Sequence, residues 1–279
     1  MASTDDVSRS RAKLERCPPG HNGRDVALSE LAEVLRDRFR REHNIDDLNG
    51  AITLCRDALK LRPTGNHKRP ISLIHLAACL SKRYENQGAS ADLEEAVTLG
   101  RAALELRPPG HPYRAFSLYN LACDLKKRFQ KLNDMRDLDE AIELHRVALE
   151  LRPSGHLHRS SSLHELAICL SNRHDKQGVV ADLEEAITLG RAALELRPPG
   201  HPHRGILLHN LACDLRTRFQ KQANARDLEE AIELHRAALE LRIAQRNGRN
   251  EEQWQEHLPF IRTVVDFEVK LVMLEGLSC

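Results

Sequence analysis

The sequence predicts an all-α solenoid: an α-α superhelix of about five helical hairpins of 45 residues each, followed by a C-terminal capping helix. Three observations carry the prediction. A tripeptide returns as Pro18-Pro19-Gly20, Pro63-Thr64-Gly65, Pro108-Pro109-Gly110, Pro153-Ser154-Gly155 and Pro198-Pro199-Gly200, its glycines 45 residues apart each time. Between the tripeptides, apolar residues recur at spacings of three and four, the stripe of a helix buried on one face. The same small residues return in the same columns of every copy. A fixed period of this size means one supersecondary unit copied in tandem, each copy burying its apolar face on its neighbours.

Residues 110–154 show the unit. Gly110 is expected in the left-handed conformation that closes the preceding helix. Pro112 fits the first turn of the next helix, where its missing N–H costs nothing. Leu118, Leu121, Ala122, Leu125 and Phe129 mark helix A, expected over about 112–130, with a turn to follow. Asp137 is expected to begin helix B, with Glu140 three residues on completing a capping box. Ala141, Leu144, Ala148, Leu149 and Leu151 form the buried side of helix B, and Pro153 stops it.

The columns repeat in all five copies. Helix A gives Leu31/Ala32, Leu76/Ala77, Leu121/Ala122, Leu166/Ala167 and Leu211/Ala212. Helix B gives Ala51/Ala58, Ala96/Ala103, Ala141/Ala148, Ala186/Ala193 and Ala231/Ala238. Alanine at a helix contact lets two backbones approach closely. Arg24, Arg69, Arg114, Arg159 and Arg204 open helix A and are expected to bind local carbonyls or the capping aspartate rather than a ligand. A second period lies over the first, since residues 91–152 closely match 181–242.

Composition narrows the function. A hydrophobic fraction of 41% allows a real core, and with aromatics at only 4% alanine and leucine must pack it. The net charge of +1 gives no field to draw the chain to nucleic acid or an anionic membrane. Seven cysteines are an odd number in a chain too large to need disulfide staples, and the N-terminus lacks the apolar core of a signal peptide. These features predict a reduced, soluble, cytoplasmic protein with neither nucleic-acid nor membrane partners.

Leu118-x-x-Leu121-Ala122-x-x-Leu125 on helix A, with Ala141, Ala148 and Pro153 on helix B, resembles the tetratricopeptide repeat pattern, with leucine at both aromatic positions. The unit is longer than the family's usual 34 residues, and in this it resembles the kinesin-light-chain-like branch. The linker Arg-Pro-Pro-Gly-His-Pro-x-Arg, at 107–114 and 197–204, is similar to that of long arrays in fungal proteins. The boundaries that follow are five repeats over 20–244 (20–64, 65–109, 110–154, 155–199, 200–244), a degenerate half repeat over 1–19 and a helical cap over 245–279. HEAT or armadillo units have a closer period but do not explain the alanine and proline columns.

The resemblance implies a non-catalytic scaffold that binds protein or peptide partners on the concave helix-A surface. Carried over by position, that surface includes Ile71, Ile74, His75, Lys82, Phe116, Tyr119, Asn120, Lys126, Lys127, His164, His209, Asn210 and Arg216. Asparagine can hold an extended peptide backbone, and the lysines and arginine beside it favour carboxylates or phosphates. Such arrays also occur as regulatory regions of signalling NTPases or caspase-like proteases, and stackable units can self-assemble; both readings stand as alternatives.

No catalytic group is expected: reactive side chains are copied once per unit, and no Walker loop, dinucleotide fingerprint or Gly-x-Ser-x-Gly elbow is present. No cofactor or metal is expected either. Cys79, Cys123, Cys169 and Cys213 lack Cys-x-x-Cys spacing, and His156/His158 and His201/His203 are loop pairs able to catch an ion only weakly. At the C-terminus Phe260, Val264, Phe267, Leu271 and Leu274 follow helical spacing, as a cap or as a surface for homo-oligomer formation.

Overall fold

A computed structural model describes residues 4–247. Eleven α-helices and no strand occur among the described residues. They are α1 (Thr4–Glu15), α2 (Arg24–Glu42), α3 (Ile45–Lys60), α4 (Arg69–Gln87), α5 (Ser90–Glu105), α6 (Arg114–Leu132), α7 (Met135–Glu150), α8 (Arg159–Gln177), α9 (Val180–Glu195), α10 (Arg204–Gln222) and α11 (Ala225–Asn247). The remainder of the expected C-terminal cap, 248–279, lies outside the described residues and carries its apolar set with it.

The chain divides into two compact units, one ending at Leu151 and one beginning at Arg152. The first holds α1 and the hairpins α2/α3, α4/α5 and α6/α7. The second holds α8/α9 and α10/α11. Within each unit every helix packs on the next in sequence, and α4 also touches α6, as α8 touches α10. This is the stacking of a tetratricopeptide-like solenoid.

The linkers explain the period. Pro108-Pro109-Gly110-His111 is a turn closed by the His111 amide donating to the Pro108 carbonyl at 3.0 Å, with Gly110 at φ +86°. Proline second and a positive-φ glycine third are what a type II turn requires. Gly110 is left-handed as expected, but it serves this turn rather than the helix cap, and Pro112 precedes α6 instead of lying within it. Two arginines then pin the linker. Arg114 donates to the Arg107 carbonyl at 2.5 Å, and buried Arg107 donates to Ser117 Oγ at 2.8 Å. Arg24, Arg69, Arg159 and Arg204 make the same carbonyl bond seven residues back, as their placement predicts.

The expected capping box is corrected. Asp137 is the third residue of α7, not its cap; Asp134 caps the helix by accepting from the Arg136 amide at 3.0 Å. Buried Asp137 instead accepts two parallel bonds from Arg128 of α6, at 2.7 and 2.6 Å. Arg38–Asp47, Arg83–Asp92, Arg173–Asp182 and Arg218–Asp227 repeat this fork. Glu140, the other half of the supposed box, reaches back to Arg101 of the preceding hairpin at 2.6 Å. The fork wins because a carboxylate removed from water needs a charged, geometrically matched donor, and it forms even where helix B has no side-chain cap, as in α5 and α9.

Around these polar joints the leucine and alanine columns close the core. Leu121, Ala122, Ala141 and Ala148 are each at most 1% exposed. Ala141→Leu is expected to overpack its site, lowering stability by about 1–3 kcal/mol in a thermal melt. Arg128→Met strands a buried carboxylate and is expected to cost about 3 kcal/mol, whereas adding Asp137→Leu to it should restore most of the loss. Arg218 donates to Asp227 and holds that carboxyl below its ordinary range. The contribution is therefore complete above the unfolded value of about 3.9 and is lost as pH falls through the lower folded value. Asp227→Asn should melt lower than the parent at pH 7, and the gap should narrow as acid protonates Asp227 in the folded chain.

Candidate functional site

The A-helices carry the candidate surface. On α6, Phe116, Asn120, Cys123 and Lys127 follow one another at steps of four, three and four, so they form one stripe. The facing stripe on α4 is Ile74, Ala78, Ser81, Lys82 and Glu85. Between them lies a cleft of about 130 Å³, with Gly100 of α5 among its lining residues. Gly100 has a packing reason: a Cβ there would meet Leu121 Cδ1 at 3.2 Å.

The cleft's charges are spent on one another. Lys127 donates to Ser81 Oγ at 2.6 Å and Glu85 at 2.8 Å, and lies 3.6 Å from buried Asp124. Ser81 donates to Asp124 at 2.6 Å, and Lys82 pairs with Glu85 at 2.7 Å. Burial opposes the Lys127 charge, yet Asp124 and Glu85 hold its ammonium above the usual lysine range. Each lysine thus has a carboxyl partner, and burial raises the pKa of Asp124. The cationic groove expected from Lys82 and Lys127 is thus not what this unit offers. Glu85 and Asp124 were missed because their importance depends on α4 lying against α6, which linear spacing does not report.

The other expected residues divide by environment. Phe116 is exposed, and the Asn120 amide donates to its carbonyl at 2.8 Å. Ile71 and Lys126 are half-buried, while Ile74 is buried in the cleft wall. Tyr119 packs edge-on to His145, with centroids 5.5 Å apart. His75 stands 3.4 Å from Glu33, but burial, followed by Arg36, Arg62 and Arg107, pushes its pKa down to about 4. It is therefore neutral at pH 7.

In the second unit Ile206, Asn210, Cys213 and Thr217 repeat the α6 stripe on α10, with Ile206 exposed. His164 is buried and receives the Asn210 amide at 2.8 Å. Thr217 stands where the first unit has Lys127. Burial pushes Asp214 up to about 7, as it also raises Asp124 in the first unit. His209 is turned toward α11, its ring edge-on to His235 at 5.2 Å and its Nε2 3.8 Å from Cys213 Sγ. The ligand atoms of His209, Cys213 and His235 all lie within 4.8 Å of one another. Burial, then nearby arginines, lowers the pKa of His209, and burial raises that of Cys213. Half-buried Arg216 is within electrostatic reach of both. The only sequence signal for this group is the four-residue step from His209 to Cys213.

Comparison with known proteins agrees with this architecture. The family described as tetratricopeptide repeat matches at residues 71–113 and 207–242. A crystal structure of a putative kinesin light chain from Podosopora anserina, with nearly identical TPR-like repeats, aligns at TM-score 0.54 and 22% identity. That alignment covers 77% of this chain and 96% of the other. BtubC (BKLC) from P. vanneervenii aligns at TM-score 0.54 and 20% identity, over 88% of this chain and 90% of the other. No curated protein matches the sequence significantly. Two stretches of the chain thus carry the tetratricopeptide repeat pattern. The fold is that of the long-unit, kinesin-light-chain-like arrays.

Proposed function

We propose that the chain is a non-catalytic scaffold that takes protein or peptide partners along its A-helices. Tetratricopeptide repeats generally bind protein partners, which supports the class. The α4–α6 cleft supports the surface. At about 130 Å³ it is smaller than the roughly 300–1,000 Å³ typical of small-molecule sites, and suits one or two inserted side chains. Its lysines and acids are mutually paired and Ser81 is held between them, so recognition there rests on shape and on Asn120. Exposed Phe116 at the head of the stripe supplies an apolar anchor of the kind that dominates interfaces. The expected occupant is an extended segment that lays an apolar side chain on Phe116 and its backbone along Asn120.

The thiol that lies beside a histidine on α10 gives no support to a catalytic reading. Cys213 sits beside a histidine, but burial raises its pKa, the opposite of what an activated nucleophile needs.

The test is quantitative capture from cell extract by the purified chain. Phe116→Glu with Asn120→Ala is expected to lower recovery of specific partners at least about tenfold. Leu157→Glu, at a loop residue that is 86% exposed, should leave recovery unchanged. An unaltered partner set in the Phe116/Asn120 variant, with helicity intact, would remove the surface from consideration.

A further inference from the structure

We propose that His209, Cys213 and His235 form a binding site for zinc or a closely related divalent transition metal, with a fourth position left to water. The proposal stands on position. His209 and Cys213 are one helical turn apart on α10, the i, i+4 step that aims two ligands at one ion. His235 comes from α11, the second helix of the same hairpin. Three donors of the type zinc prefers thus converge from two packed helices, all within 4.8 Å.

The distances suit an ion. Bonds of about 2.3 Å to sulfur and about 2.0 Å to nitrogen set tetrahedral ligand atoms about 3.3–3.6 Å apart. Cys213 Sγ and His209 Nε2 are 3.8 Å apart, too far for a strong hydrogen bond and close to the separation that a shared metal imposes. His235 Nε2 is buried with no hydrogen-bond partner. A buried ring nitrogen without a partner is uncommon, and a metal would satisfy it. His209 is exposed and Cys213 and His235 half-buried, so an ion can enter from solvent and keep a water ligand.

The surrounding charge does not forbid a cation. Arg216 and Arg242 lie within reach of His209, while Asp175 and Asp214 lie within reach of Cys213. Groups of both signs surround the site, and the thiolate adds the negative charge that the ion would neutralise.

The repeat supplies its own comparison. The same three columns read Ser29/Glu33/Cys55, Ile74/Ala78/Gly100, Tyr119/Cys123/His145 and His164/Ile168/Gly190 in the other copies. Only the fifth copy holds His, Cys and His together. A position needed merely for packing would accept the aliphatic and glycine residues that the second copy uses.

The experiment uses the full, untagged chain stripped with chelator and titrated with Co²⁺ as a spectroscopic stand-in for zinc. One cobalt per chain is expected, with a thiolate-to-cobalt charge-transfer band, visible bands of a four-coordinate ion and displacement by zinc. Cys213→Ser should abolish the charge-transfer band. His209→Gln or His235→Gln should weaken binding by at least about tenfold. His201→Gln with His203→Gln, which removes an exposed loop pair, should change nothing. Should a variant fail to fold, zinc protection of Cys213 from iodoacetamide, located by peptide mass spectrometry in the parent, gives the answer instead. Failure of the folded parent to bind cobalt, a charge-transfer band that survives Cys213→Ser, binding lost only with the His201/His203 pair, or alkylation of Cys213 unaffected by zinc would each overturn the site.

Discussion

A buried arginine–aspartate fork closes every hairpin, and the other joints of the fold are arranged around it. The arginine leaves the last third of helix A and meets an aspartate in the first turn of helix B nine residues later, through two parallel bonds, as in Arg128–Asp137. An ion pair with its aspartate buried is expensive to form from water and costlier to break on one side only. It therefore acts less as a source of stability than as a selector of register, since a slip of either helix would strand the charge. The same arginine reaches across to the preceding hairpin, as Arg128 does to Glu94 and Arg218 to Glu184. One side chain thus fixes both the turn within a hairpin and the contact to the hairpin before it.

Alanine does the complementary work. At Ala96, Ala141 and Ala186 nothing is exposed, and the backbones approach because no larger side chain intervenes. Repetition keeps these contacts nearly identical from copy to copy, so individual copies are free to vary on the A-helix stripe. The variation is pronounced: the first unit places a paired Lys–Glu–Asp–Lys cluster in its cleft, and the second places a thiol with two imidazoles where α10 meets α11. Such an array separates the residues that hold it up from the residues that vary.

Much of the fold was legible because period and pattern are local properties. The helix count within each copy, the alanine columns and the carbonyl-binding arginines all follow from residues close in sequence. The misreadings share a cause. Asp137 and Glu140 have the spacing of a capping box, yet each is claimed by an arginine on another helix, Arg128 and Arg101. Lys82 and Lys127 look like free cations along their own helices, and both end against Glu85. A charged side chain chooses its partner by distance in space, and that distance is set only when the hairpins pack.

What the sequence determined by itself is the unit: helical hairpins of fixed length, turned by proline and glycine and joined through small residues, because torsional preference and apolar periodicity act over a few residues. What only the tertiary structure decided is the chemistry of the surface. Whether an asparagine faces solvent or a histidine, whether a lysine is available or neutralised, and whether His235 meets His209 and Cys213 all depend on helices brought side by side. Electrostatics and ligation act over a few ångströms and take no account of the number of residues between their partners.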